Sequence, residues 1–202
     1  MGNKTKQKRY FSMHVDEEEK VADIYVYGDI VVPEWQWYES ETSGFSLAKE
    51  IEALEDVETI NVFINSYGGH VSEGLAIYNA LRRHGAKIVT YCDGFACSAA
   101  SLVFMAGEER IMSNASVLLM HNASGLAWGT AEAIRKEAED LEALSEASMN
   151  AYLNHVNITA DEMKALMAED RFMKSDEALE KGFATKVSQE EEAKVASMAV
   201  RK

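Results

Sequence analysis

Apolar residues along this chain change period several times, and each change marks an element. Residues 22–29 (ADIYVYGD) alternate apolar and polar positions, which predicts a strand with one buried face. An aromatic loop follows, with Trp35, Trp37, Tyr38 and the chain's single proline, Pro33. From 43 to 55 the apolar positions Phe45, Leu47, Ala48, Ile51 and Leu54 recur near helical spacing. Residues 59–64 (TINVFI) form a short β-branched and aromatic run, which predicts a buried strand broken by Asn65-Ser66-Tyr67-Gly68-Gly69. A helix is expected over 71–84, stopped by Gly85.

The alternation continues. Residues 87–92 (KIVTYC) predict a strand, 93–96 a turn, and 97–106 a helix of small residues. Two short strands are expected at 110–112 and 117–120. A long helix over 130–155 carries Ile134, Leu141, Leu144 and Tyr152 on one stripe, and that stripe suits either its own domain or a partner subunit. Thr159 opens another helix with Glu162 at the capping-box position, and a short one runs from Ser175 to Gly182. Strands alternating with helices define an α/β domain with a mostly parallel sheet. The polar residues 1–20 read as a flexible arm, 21–188 as one domain, and 189–202 as a charged tail.

Composition narrows the function classes. The formal net charge is −14, where a nucleic-acid-binding surface would need a basic patch. This fits a protein of the cytoplasm. No apolar run is long enough to cross a bilayer, and the basic start MGNKTKQKRYFSM leads into acidic residues rather than an apolar core, so no signal peptide or membrane association is expected. Cys92 and Cys97 read as small buried hydrophobes rather than a disulfide framework. No metal or cofactor is expected.

In a parallel sheet, function gathers at the carboxyl ends of strands. Ser98 sits where a strand gives way to a helix, and free N–H groups there stabilise a developing oxyanion. Taken alone, such a serine is more often a helix cap. Gly68 and Gly69 give backbone freedom and exposed N–H donors, although an ordinary turn would look the same. His121 ends an apolar strand, with His70 as the rival base. An acid must orient that base, and Asp170, Asp93 and Glu169 are the candidates.

In company these residues resemble the Clp protease proteolytic subunit family. FINSYGGHVSEGLAIYNAL is similar to its strand–diglycine–helix signature, and GFACSAASLVFMAG to its nucleophile segment. VLLMHN is similar to the strand bearing its histidine, and EDRFMKSDEALEKGFATKV to its closing segment. The resemblance covers about 22–187 and implies the Clp/crotonase-like fold, stacked ββα units with a protruding handle helix. It implies Ser98 as nucleophile rather than Ser101, His121 as general base and Asp170 as orienting acid. Gly69 and Ala99 become oxyanion-hole donors, and Gly68, Val71, Asn122, Ser124 and Gly125 line the bound peptide.

Departures mark the branch. Tyr67 stands where the family usually has proline, and Asn122-Ala123 where it has Gln-Pro. These resemble the phage and prophage head maturation (prohead) proteases, which act on capsid and scaffold proteins without requiring an ATPase. The alternatives are a housekeeping-type subunit working with an ATPase chaperone, a crotonase-like acyl-CoA enzyme, or a catalytically silent ring subunit. The resemblance further implies a homo-oligomer of heptameric rings stacked in pairs, joined through the helix at 130–155.

Overall fold

The computed structural model describes residues 12–38 and 41–189. Residues 1–11 of the expected arm and 190–202 of the expected tail lie outside them. Within the span read as an arm, Ser12–Asp16 instead forms strand β1, antiparallel to β2 (Val21–Tyr27). Met13 of β1 packs against the core, which ties this edge strand down. Two short parallel strands, β3 (Ile30–Val31) and β4 (Thr42–Ser43), bracket the aromatic loop.

Helix α1 (Gly44–Glu52) starts where Ser43 Oγ accepts the Ser46 N–H. Strand β5 (Thr59–Ser66), helix α2 (Val71–Arg83) and strand β6 (Lys87–Cys97) follow, then α3 (Ala99–Met105) and β7 (Glu109–Ser113). Beyond them come β8 (Val117–Leu119), the long α4 (Ala131–Leu153) and α5 (Ala160–Glu169). Helix α5 opens with the expected capping box between Thr159 and Glu162. Strand β9 (Met173–Lys174), α6 (Ser175–Lys181) and β10 (Lys186–Ser188) complete the described chain.

The main sheet runs β1-β2-β5-β6-β7-β10 and is parallel except at β1. Strand β6 outlasts the expected 87–92. Asp93-Gly94 has turn chemistry, yet the strand passes through it with a register shift against β5 between Ile64 and Ser66. The first half of β6 pairs with β7 and its last residues, Phe95–Cys97, pair with β8. One strand therefore carries two neighbours in succession, and β8 leads off the main sheet to the antiparallel β9.

Alternation along β2 and β5 buries Ala22, Ile24, Val26, Ile60, Val62 and Ile64 in one cluster with Leu47, Ile51, Ile77, Leu81 and Phe104 from the helices. Each large aliphatic side chain so buried contributes about 2 kcal/mol. On the other face Tyr25, Phe63 and Tyr91 stack across three strands, with centroids 4.8 and 4.7 Å apart. Helix α2 reaches α3 closely at Gly74, where a Cβ would sit 2.8 Å from the Ala99 carbonyl oxygen.

Arg110 is buried, and no carboxylate among the described residues pairs with it. Its guanidinium donates to the carbonyls of Phe183 (2.7 Å), Gly107 (2.8 Å) and Gly182 (3.0 Å). Burial, followed by the charges of Arg110 and Arg82, lowers the His155 pKa to about 4. An unfolded His155 would take up its proton near pH 6.5, so above that value the ring is neutral in both states and its burial carries no protonation cost. As pH falls from about 6.5 towards 4 the unfolded state gains the proton first and stability declines. His155→Gln is expected to flatten the fall in melting temperature across that interval, measured by thermal unfolding from pH 7 to pH 4.

Candidate active site

Three strand ends meet at the site. Strand β6 delivers Ser98, the parallel β8 delivers His121 two residues past its end, and β5 leads into Gly68-Gly69. The pairing Cys97↔Leu119 fixes how far each chain advances, and the Ser98 N–H donates to the Leu119 carbonyl at 2.8 Å. Ser98 Oγ and His121 Nε2 lie 2.7 Å apart, so the hydroxyl can donate to the imidazole.

The backbone at Ser98 is strained, with φ at +53° and ψ at −126°. It occupies the cap position of α3, but its side chain makes no capping hydrogen bond. The cap reading therefore fails on geometry: the hydroxyl is turned towards His121. Ser101 is the structural serine of the pair. It is 1% exposed, and its Oγ donates to the Ser98 carbonyl at 2.6 Å and meets the buried Tyr152 hydroxyl at 2.8 Å.

The diglycine lies against this turn. A Cβ at Gly68 (φ +95°) would stand 2.4 Å from the Cys97 carbonyl oxygen and 2.7 Å from Ser98 Cβ. At Gly69 (φ +140°) a Cβ would meet the Ile30 carbonyl oxygen at 2.0 Å. Ile30 N–H donates to the Gly68 carbonyl and His70 N–H to the Ile30 carbonyl, each at 2.8 Å, which clamps the glycines between β3 and α3. Ser66 Oγ accepts the Gly68 N–H at 3.0 Å. No described residue accepts a hydrogen bond from the Gly69 or Ala99 N–H.

Other candidates are engaged elsewhere. The His70 ring contacts Ser72 Oγ (3.3 Å) and lies edge-on to Trp35. Asp93 accepts a hydrogen bond from the Tyr27 hydroxyl, and Glu169 pairs with Arg171 at 2.6 Å. Asp170 caps α5 in the left-handed conformation (φ +46°) and makes no hydrogen bond to His121 in this structure. Its place in the fold is nevertheless specific. Asp170 ends α5 three residues before β9, whose antiparallel partner β8 leads to His121, so the two residues lie on chain segments that flank one strand pair. Val71 begins α2, while Asn122, Ser124 and Gly125 lie in the extended segment beyond His121.

Sequence reasoning missed several supports. The Ala123 N–H donates to Ser145 Oγ at 2.9 Å, which pins the segment after His121 to α4. Tyr67 stacks on Phe95 with centroids 4.6 Å apart, and Phe95 meets Phe172 at 6.2 Å, linking the diglycine loop to the Asp170 segment. Aromatic residues at 67, 95 and 172 gave the only hint, since their partners are distant in sequence. Cys92 and Cys97 are free and buried, and burial pushes their thiols up to about 12 and about 11. They behave as the small hydrophobes expected.

A serine on a strained strand-to-helix turn, bonded to a strand-end histidine in a mostly parallel α/β fold, defines a hydrolase-like class. The sequence profile of the Clp protease family matches residues 45–191, and the chain belongs to that family of serine-type peptidases. The fold is similar to that of a ClpP1 point mutant from Listeria monocytogenes, with a TM-score of 0.70 at 20% identity over 83% of this chain and 91% of that one.

Gly68→Ala should displace the Ser98 turn, because backbone and not a flexible tip fills the space of the new methyl. The expected result is at least a tenfold slower reaction of Ser98 with a fluorophosphonate probe, with a stability loss of about 2 kcal/mol in chemical denaturation. Ser101→Ala leaves the Tyr152 hydroxyl without its partner and should cost about 2 kcal/mol, yet Ser98 stays the labelled residue in peptide mapping.

Proposed function

We propose that this chain hydrolyses peptide bonds through Ser98, His121 and Asp170. The observation that carries the reading is the 2.7 Å approach of Ser98 Oγ to His121 Nε2 beside two backbone N–H groups that find no acceptor among the described residues. His121 takes the Ser98 hydroxyl proton as Oγ bonds to the scissile carbonyl carbon. The Gly69 and Ala99 N–H groups receive the resulting oxyanion, a contribution of roughly 3 kcal/mol per donor. His121 then gives its proton to the leaving amine as the C–N bond breaks, and water releases the acyl group from Ser98. Asp170 orients the imidazole by closing onto Nδ1, a role supported by its place on a segment flanking the β8–β9 pair.

The proposal includes assembly and branch. Leu126 and Trp128 are each 96% exposed on the segment before α4, and Ile134 is exposed on its first turns. Apolar surface of that kind fits contact with a second copy, as in paired heptameric rings. The departures at Tyr67 and at Asn122-Ala123 support a place among phage-type head maturation proteases acting on capsid or scaffold proteins, with no ATPase required. Among the described residues, no helix is long and apolar enough to cross a membrane.

Fluorophosphonate labelling with mass-spectrometric mapping tests the nucleophile. Labelling at Ser98, and a loss of about 10⁴-fold in peptidase turnover for Ser98→Ala, are expected. Activity of Ser98→Ala at the wild-type level would overturn the reading, and an unlabelled chain that processes acyl-CoA thioesters would replace it with the crotonase alternative. Asp170→Asn is expected to lower kcat at least 100-fold with KM little changed, measured on a fluorogenic peptide.

A further inference from the structure

The segment 120–128, which carries His121, joins β8 to α4 with neither helix nor strand of its own. Strand pairing fixes the chain as far as Leu119, whose carbonyl accepts the Ser98 N–H. The base therefore lies just past the last paired residue. Beyond it, among the described residues, the main chain of 121–129 makes one hydrogen bond, from the Ala123 N–H to Ser145 Oγ at 2.9 Å.

Ser145 is placed to accept that bond. Its own hydroxyl donates to the Leu141 carbonyl at 2.8 Å, one turn back along α4, so its proton is spent and a lone pair remains for Ala123. Ser148 of the same helix donates to Leu144 at 2.9 Å in the same way, but receives nothing from the segment after His121. Ala123 also stands where the family usually has proline. A proline ring holds φ near about −65° and carries no N–H, so it needs no acceptor. Alanine frees φ and adds a donor that must find a partner. Ser145 takes that donor and ties the segment to α4, which returns the constraint by another route.

We infer that Ser145 is a positioning residue for the base. By holding Ala123, two residues past His121, it keeps the imidazole Nε2 at its 2.7 Å separation from Ser98 Oγ. The inference rests on the peptidase reading above and adds to it a residue that acts through His121 rather than on the substrate. Reacting groups tolerate little displacement, and a shift of about 1 Å costs one to two orders of magnitude in rate.

Timed labelling of Ser98 by a fluorophosphonate in the full-length chain tests this, because the small probe needs the base but no bound peptide. Ser145→Ala is expected to slow labelling about tenfold. Its melting temperature should stay within about 2 °C of the wild type, since alanine suits a helix interior better than serine. Ser148→Ala, which loses the same bond within α4, should label at the wild-type rate. Two variants should recover most of the rate lost in Ser145→Ala. Ser145→Thr keeps the accepting hydroxyl, and the double variant Ala123→Pro, Ser145→Ala removes the donor together with its acceptor.

Wild-type labelling by Ser145→Ala, an equal loss in Ser148→Ala, or failure of both rescues overturns the assignment and leaves the peptidase reading standing. So does a slowing that comes only with a lost melting transition, which would make Ser145 a support of the fold. A changed KM for a fluorogenic peptide with unchanged labelling overturns it as well, because Ser145 would then act on the substrate. A wild type that neither labels at Ser98 nor cleaves peptide overturns both.

Discussion

The geometry of this protein hangs on one close approach, that of the Gly68 backbone to the turn Cys97–Ser98–Ala99. No side chain fits there, since even a methyl would lie 2.4 Å from a carbonyl oxygen. The approach matters because Ser98 holds a backbone conformation that a serine adopts only at a cost of roughly 1–3 kcal/mol. Its neighbours over-determine that conformation. The Ser98 N–H is bonded to Leu119, its carbonyl accepts from Ser101 Oγ, and Gly68 leaves the peptide little other room. The same turn that strains Ser98 frees its hydroxyl from capping α3 and points it at His121.

Periodic features were legible from the chain alone. Helices α1, α2, α4 and α5 fall within a few residues of their apolar stripes because tertiary packing and local preference agree there. The capping box at Thr159 is a local hydrogen-bond pattern and so is written locally. Strand β6 was read short because Asp93-Gly94 has turn chemistry, and only the later pairing with β8 explains why the strand continues. β1 escaped notice because its partner, not its own composition, makes it a strand.

The site divides in the same way. Ser98 and His121 could be proposed from their positions at strand ends, but residue types alone could not distinguish a capping serine from a nucleophile. What sets the capping reading aside is a side-chain direction set by backbone angles. Asp170 was one carboxylate among 34 acidic residues. Its distinction is its place at the end of α5, just before the strand that pairs with the one leading to His121, and sequence spacing does not encode that pairing. Ser145 and Ser66 likewise act through partners, one holding the segment after His121 and the other occupying the Gly68 N–H.

Helix α4 connects these local facts to the exterior. Its last turns are buried, where Tyr152 is held to Ser101, which in turn holds the Ser98 carbonyl. Its middle lines a cavity together with Asn122 and Ala123, and its first turns, 131–140, are exposed at every position. Burial raises the Tyr152 phenol to about 12, so this hydroxyl stays a neutral hydrogen-bonding group at ordinary pH. A neutral pair inside a dry core is costly to break, and leaving either hydroxyl unpaired would cost about 1–3 kcal/mol. The α4–Ser98 linkage is therefore anchored by paired hydroxyls at its buried end while its outer turns face solvent. Helix α4 thus runs from exposed first turns, along the wall of a cavity, to the buried Tyr152 that holds Ser101 against the Ser98 carbonyl.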